Sequence, residues 1–219
     1  MAGAVSGQEA KPKRARDKIF EVASDLFYRE GVRAVGVETI VKKAGVTKIS
    51  LYRSFPSKDD LVVAWLKDRS TVFLREWDEA FDRYRADPRA QLRAILTYIA
   101  GRTTQDGYRG CPFINFCAEF SDASHPGRSV ARATKAVVRE RFLSIAKALD
   151  APRPQQLADG LLLLLEGAYA ISQTLGGGPT GAGHALVWAG EALVDAQLSA
   201  AKAPHVRKSR NRAARPATS

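Results

Sequence analysis

The chain has 219 residues, of which 45% are apolar and 26% charged, and its formal net charge is +11. This composition suffices for one large or two small folded domains. The apolar run Leu161 to Leu165 is far shorter than the roughly 20 residues of a membrane span, and the first ten residues lack the apolar core of a signal peptide. Two cysteines provide neither a disulfide framework nor zinc-finger spacing, so we expect a cytoplasmic protein.

The charge is unevenly distributed. Residues 1–69 carry a net +5, residues 70–201 are neutral, and residues 202–219 carry +6. Basic segments favour phosphate backbones or anionic membranes, so the ends of the chain should have a different partner from the middle. We expect disorder over 1–12 and 202–219. The tail is either a phosphate-binding arm or a solubilising end.

Helical periodicity is present from the start of the chain. A first helix carries apolar residues at helical spacing over 19–27 and ends near Gly31. A second, short helix repeats the pattern over 37–44. Gly45 follows it, where a left-handed backbone turn is easiest.

Capping residues predict the next two helices. Thr47 is placed to cap a third helix that runs to about Ser54, because Pro56 stops it. Ser57, with Asp60 at the third helical position, is placed to cap a fourth helix.

Five further helices are predicted in the rest of the chain, and we find no alternating strand pattern, so the expected fold class is all-α. One of them carries its apolar residues over 92–99, and the others cover about 112–120, 130–149, 155–175 and 182–200. The breaks between them are marked by Asp87-Pro88, by the loop 107–110, by the turn-forming cluster 121–127, by Pro152-Arg153-Pro154 and by the glycine-rich segment 176–179.

Residues 37–54 have the spacing of a helix-turn-helix, in which the second helix enters the DNA major groove. Leu51 and Phe55, four residues apart, should face inward, whereas Lys48 and Arg53 are polar. The alternative is a short amphipathic core helix with solvated charges.

The segment from Arg16 to Leu66 resembles the N-terminal domain of the TetR/AcrR family of transcriptional regulators. The motifs LFYREG, AGV, LYRSF and SKDDL carry the resemblance over some fifty contiguous residues. It implies an all-α homodimer, usually a repressor, in which each three-helix domain binds half of a palindromic operator. A larger helical domain then binds a small molecule that changes the spacing of the two recognition helices. We expect DNA binding over 13–60, and ligand binding with dimerisation over 61–201.

The resemblance also assigns DNA contacts residue by residue. This chain departs from the family at Val35-Gly36, where many members have Thr or Ser, and only a backbone N–H remains for phosphate. Ile49 stands where many have a small residue, and it either packs on a thymine methyl or fills space. The expected contacts are Gly36, Thr47, Lys48, Ile49, Ser50, Tyr52, Arg53, Ser54 and Lys58.

Small residues recur with heptad-like spacing near the C-terminus, where the family forms a four-helix dimer bundle. Such a seam lets another helix approach closely, although intrachain packing accounts for part of it. The predicted interface residues are Leu161, Leu164, Ala168, Ile171, Ala185, Ala189, Ala192 and Ala196.

The stretch GCPFINFCAEF, residues 110–120, resembles one that opens a cavity-lining helix in a subgroup of the family. Pro112 at the first helical position puts Cys111 at the N-cap, where a helix N-terminus favours the thiolate. Cys111 is therefore either a small cap or a thiol sensor of electrophiles or oxidants. A disulfide with Cys117 is not expected, because about six residues of helix separate them. The predicted ligand contacts are Cys111, Phe113, Asn115, Phe116, Glu119, Phe120, Tyr169 and Gln173.

Other classes of function have little support in the sequence. There is no nucleophile elbow, phosphate loop or HExxH motif, and His125 and His184 are isolated, so we expect no enzyme, cofactor or metal. A less specific architectural DNA-binding protein is the second alternative. Such a protein would not need a neutral domain with an aromatic interior.

Overall fold

A computed structural model describes residues 14–105, 107–176 and 181–202, with side chains up to residue 199. The expectations for 1–12 and for the basic tail after Lys202 lie outside these ranges. Within them the all-α fold class is confirmed, since nine α-helices and no β-strand are found. The helices are α1 Ala15–Glu30, α2 Val37–Ala44, α3 Lys48–Ser54, α4 Lys58–Asp82, α5 Pro88–Thr103, α6 Pro112–Glu119, α7 Pro126–Ala148, α8 Pro154–Thr174 and α9 Ala185–Lys202.

Local capping signals set the boundaries of the early helices as the sequence predicts. The Thr47 hydroxyl oxygen accepts a hydrogen bond from Ser50 N at 3.2 Å, and Ser57 accepts one from Asp60 N at 3.0 Å. Gly45 ends α2 with a left-handed φ of 63°, and its N–H bonds back to the carbonyls of α2. Side chains with a Cβ adopt that conformation only at a cost.

Two later boundaries differ from the prediction. Helix α7 starts at Pro126, inside the expected turn cluster, because His125 caps it by accepting a hydrogen bond from Gly127 N at 3.0 Å. The predicted helix 182–200 is divided into a 3₁₀ turn at Ala182–His184 and α9. Gly183 of that turn packs so closely on Thr103 that a Cβ would lie 2.4 Å from its hydroxyl oxygen.

Helices α1, α2 and α3 pack together with the first turns of α4. The rings of Phe27 and Trp65 meet edge to face with centroids 5.6 Å apart, and Ile40 and Leu51 are fully buried beside them. The boundary proposed between residues 60 and 61 falls inside α4, which runs without interruption through both groups of helices.

The remaining helices form a second packed layer. Helix α7 lies against both α4 and α8, and α9 packs on α5 and α8. Trp77 of α4 is central to this layer, since its ring contacts those of Phe73 and Phe142 with centroids 6.0 and 5.1 Å away. No helix within the described ranges is long and apolar enough to cross a bilayer.

Candidate functional site

Helix α3 is fixed to the body of the protein from one side. Leu51 and Phe55 are buried against α1, as the four-residue spacing predicts. Arg16 of α1 donates a hydrogen bond to the Ser54 carbonyl at 2.7 Å, and its guanidinium lies 4.3 Å from the Phe55 ring centroid. The orientation of α3 is therefore set by α1.

The opposite side of α3 is open to solvent. Four of the predicted DNA contacts, Lys48, Ile49, Tyr52 and Arg53, surround one shallow depression of about 450 Å³. Ile49 is 70% exposed and contributes little to the core, so packing does not account for its side chain. A surface with two cations, one phenol and one aliphatic group suits both the phosphate backbone and a base edge.

The hydroxyl groups of α3 are engaged within the helix. Thr47 and Ser50 place their hydroxyl oxygens 3.0 Å apart at the N-terminal cap, and Ser54 donates to the Ser50 carbonyl at 2.9 Å. These three predicted contacts thus have a structural role in the free protein. Gly36 begins α2 without a side-chain cap, which leaves backbone N–H groups for an anion.

Two of the predicted lysine contacts have partners within the chain. Lys48 donates to Glu38 at 2.6 Å, and this hydrogen bond and the charge of Glu38 raise the pKa of Lys48. Lys58 donates to the Val32 carbonyl at 2.7 Å, and burial lowers its pKa. Helical periodicity did not predict that Glu38 binds Lys48 and so competes with DNA for it, because the two residues lie on different helices.

A cavity of about 40 Å³ lies between α4, α5, α6, α7 and α8. Three of the predicted ligand contacts, Cys111, Phe113 and Tyr169, line it. The sequence prediction missed the other polar side chains around it, which come from four separate elements. They are Arg69, Arg102, Tyr108 and Lys135.

The other five predicted ligand contacts do not line this cavity. Phe116 and Phe120 stack on each other at 4.7 Å, and the Glu119 carboxylate accepts a hydrogen bond from Arg33 N at 2.7 Å. Asn115 donates to the Arg109 carbonyl at 2.6 Å, and Gln173 lies exposed over Gly110. The spacing of the aromatic residues identified the buried face of α6. It could not distinguish a residue that lines the cavity, Phe113, from residues that pack in the core, Phe116 and Phe120.

Of the two alternatives for Cys111, the structure favours the small buried cap over the thiol sensor. Cys111 is the N-cap residue of α6, but its thiol is buried, and burial raises its pKa more than the charge of Lys135 lowers it. The Lys135 Nζ lies 3.5 Å from the sulfur. Both cysteines are free thiols, and Cys117 is only half-buried.

The predicted dimer residues divide into two groups. Leu161 and Ala168 are buried inside the chain, so they are not available to a partner, while Leu164 and Ile171 are half-buried. On α9, Ala185, Ala192 and Ala196 are exposed and Ala189 is half-buried. The sequence prediction missed Leu163 and Trp188, each 73% exposed.

Two short helices joined by a tight glycine turn, with the second helix anchored inward and polar outward, define a helix-turn-helix DNA-binding protein. The family profile described as "Bacterial regulatory proteins, tetR family" matches residues 19–65. A TetR-type regulator structure from Streptomyces avermitilis (sav143) is 32% identical, covers 84% of this chain and 98% of its own, and superposes with a TM-score of 0.74.

Other relatives agree with this match. SCO4454, a TetR-family transcriptional regulator from Streptomyces coelicolor, is 26% identical over 84% of this chain and 95% of its own, with a TM-score of 0.76. The transcriptional regulator BetI from Stenotrophomonas maltophilia is 28% identical over 74% of this chain and 83% of its own. The chain belongs to the TetR family of bacterial transcriptional regulators.

Replacing Tyr52 by Phe tests the outward face of α3. We expect Tyr52→Phe to weaken binding to operator and random DNA alike by up to about tenfold, because one hydrogen bond to phosphate is lost. Ile49→Ala should instead change the order of preference among operator sequences. Fluorescence anisotropy with labelled duplexes measures both, and unchanged affinities for both variants would show that α3 is not the reading helix.

Alkylation tests the state of Cys111. Because burial raises its pKa, the Cys111 thiol stays protonated at neutral pH. It forms the thiolate only at a higher pH than an ordinary thiol does. Iodoacetamide at pH 8 should modify Cys117 first, as followed by peptide mass spectrometry. In denaturant the two should react at similar rates, and faster modification of Cys111 in the native protein would contradict this assignment.

Proposed function

We propose that the chain is a homodimeric repressor that binds a palindromic operator and is released when a small molecule enters the cavity. The observation that carries the proposal is the outward face of α3, where Lys48, Ile49, Tyr52 and Arg53 surround one open depression while Leu51 and Phe55 hold the helix. The natural compartment of such a protein is the cytoplasm, where an operator is accessible.

Dimerisation is supported by an apolar face on α8 and α9. Leu163 and Trp188 expose most of their side chains, and small residues surround them, including Gly167, Ala185 and Ala192. Small residues permit close approach of helices, and exposed large apolar groups mark a surface that a partner covers. Dimers of helix-turn-helix proteins bind half-sites one turn of DNA apart.

Helix α6 is suited to couple the cavity to the DNA-binding helices. Its first turn contributes Phe113 to the cavity wall, whereas Glu119 in its last turn bonds to the backbone of Arg33, between α1 and α2. The Arg33 guanidinium also lies 5.1 Å from the Phe120 ring centroid. A ligand that displaces the first turn of α6 therefore has a direct mechanical path to the DNA-binding helices.

The alternatives find less support in the geometry. A thiol sensor acting through Cys111 needs an accessible thiolate, which burial disfavours. An architectural DNA-binding protein has no need of a cavity or of a neutral middle domain. The relatives of known class are transcriptional regulators rather than enzymes.

Selection of bound DNA from a random pool tests the proposal. We expect the wild type to enrich a palindrome. Trp188→Glu should give monomers in light scattering and lose operator binding, because a charge is placed in the apolar face. The control Val137→Glu adds the same charge at a half-exposed apolar site on α7 and should remain dimeric. An enriched sequence without two-fold symmetry, or a dimeric Trp188→Glu variant, would contradict the proposal.

A further inference from the structure

The cavity wall is strongly cationic. Arg69, Arg102 and Lys135 line it, and no carboxylate is among the described residues of the lining. Each cation has an acidic partner outside the lining. Arg69 pairs with Asp68 at 2.6 Å, Arg102 with Glu76 at 2.8 Å, and Lys135 with Glu166 at 2.5 Å. A negatively charged group that enters the cavity would therefore meet three cations on the wall, and it would compete with the carboxylate that now pairs with each of them.

The rest of the wall is aromatic and able to donate hydrogen bonds. The Lys135 Nζ lies 5.9 Å from the Phe113 ring centroid and 5.3 Å from that of Tyr169. The buried Tyr108 hydroxyl has no hydrogen-bond partner among the described residues. Burial raises the pKa of Tyr108 and of Tyr169, so both phenols remain protonated donors. Planar apolar groups pack well between such rings.

An open groove of about 460 Å³ lies next to the cavity and shares Phe113 and Lys135 with it. Arg128 and Arg132 add positive charge to this groove, whose one acidic lining residue, among those described, is Glu166. The cavity alone, at about 40 Å³, is far smaller than ligand sites, which usually measure roughly 300–1,000 Å³. A ligand must therefore displace the Lys135 and Phe113 side chains that separate the two spaces.

From this arrangement we infer that the effector is an aromatic acid, whose anionic group enters by the groove and replaces Glu166 as the partner of Lys135. The inference rests on the proposed function, since it names the ligand class for the same cavity. The aromatic body then packs on Phe113 and Tyr169, and Tyr108 donates to the acid. Displacing Phe113 moves the first turn of α6, whose last turn is bound to the backbone of Arg33 through Glu119.

Isothermal titration calorimetry with matched ligands tests the class. The probes are benzoate, salicylate and 2-naphthoate, with 2-naphthamide and 2-naphthylmethylammonium as neutral and cationic counterparts. We expect at least one carboxylate to bind, and 2-naphthoate to bind at least tenfold more tightly than its counterparts. Lys135→Met should lose at least tenfold, Glu166→Gln should gain severalfold, and the exposed-site control Arg75→Met should be unchanged.

Circular dichroism of each variant shows whether a loss of ligand affinity comes from unfolding. The comparison of the ligands uses the wild-type protein and does not depend on any variant. Binding of none of the carboxylates, or equal binding of the neutral or cationic counterpart, overturns the inference.

Release of labelled operator is measured in parallel. Carboxylate-selective binding without release would support the inference and contradict the ligand-responsive repressor. Release by the cation or the amide would support the repressor and overturn the inference.

Discussion

A seven-residue helix is not stable alone in water, so the orientation of α3 depends on the burial of Leu51 and Phe55 against α1. Arg16 strengthens this attachment by binding the last carbonyl of α3 and stacking on Phe55. The outward residues are therefore held at a fixed angle to the body. Any movement of the body therefore moves the outward side chains of α3 with it.

The rest of the chain is organised around that rigid attachment. Helix α4 runs from the DNA-binding helices into the second layer, and α6 touches both. Phe116 of α6 packs closely on Gly127, where a Cβ would lie 2.5 Å from its ring. Arg128 of α7 binds the carbonyls of Cys117 and Phe120 at 3.1 and 2.7 Å. The end of α6 is thus tied to α7 and to the DNA-binding helices at once, which suits a rigid lever more than a flexible linker.

The sequence predicted those features that depend on neighbours along the chain. Thr47, Ser57, Gly45 and Pro112 act within one helical turn, so their capping and turn roles could be predicted. The inward spacing of Leu51 and Phe55 follows from the helical period in the same way.

Features that join distant elements could not be predicted. The cationic lining comes from three helices, and its charge is evident only after folding. Spacing showed that Phe116 and Phe120 share a face with Phe113, but not that Phe116 packs on Gly127 of α7 and Phe120 on the Arg33 guanidinium. For Cys111, burial outweighed the N-terminal position, and burial is a tertiary property. Leu161 and Ala168 have the spacing of an interface, yet their partners lie within the same chain.

In the proposed dimer, two copies of α3 are held at a spacing that matches one turn of DNA. Pulsed electron paramagnetic resonance reports this spacing through a spin label at Lys42→Cys, an exposed position on α2, which packs beside α3. The labelled chain has Cys111 and Cys117 replaced by Ala. With operator bound, we expect one narrow distance distribution on the order of 35 Å, the length of one helical turn of DNA. Absence of dipolar coupling, or a broad distribution without a preferred distance, would contradict it.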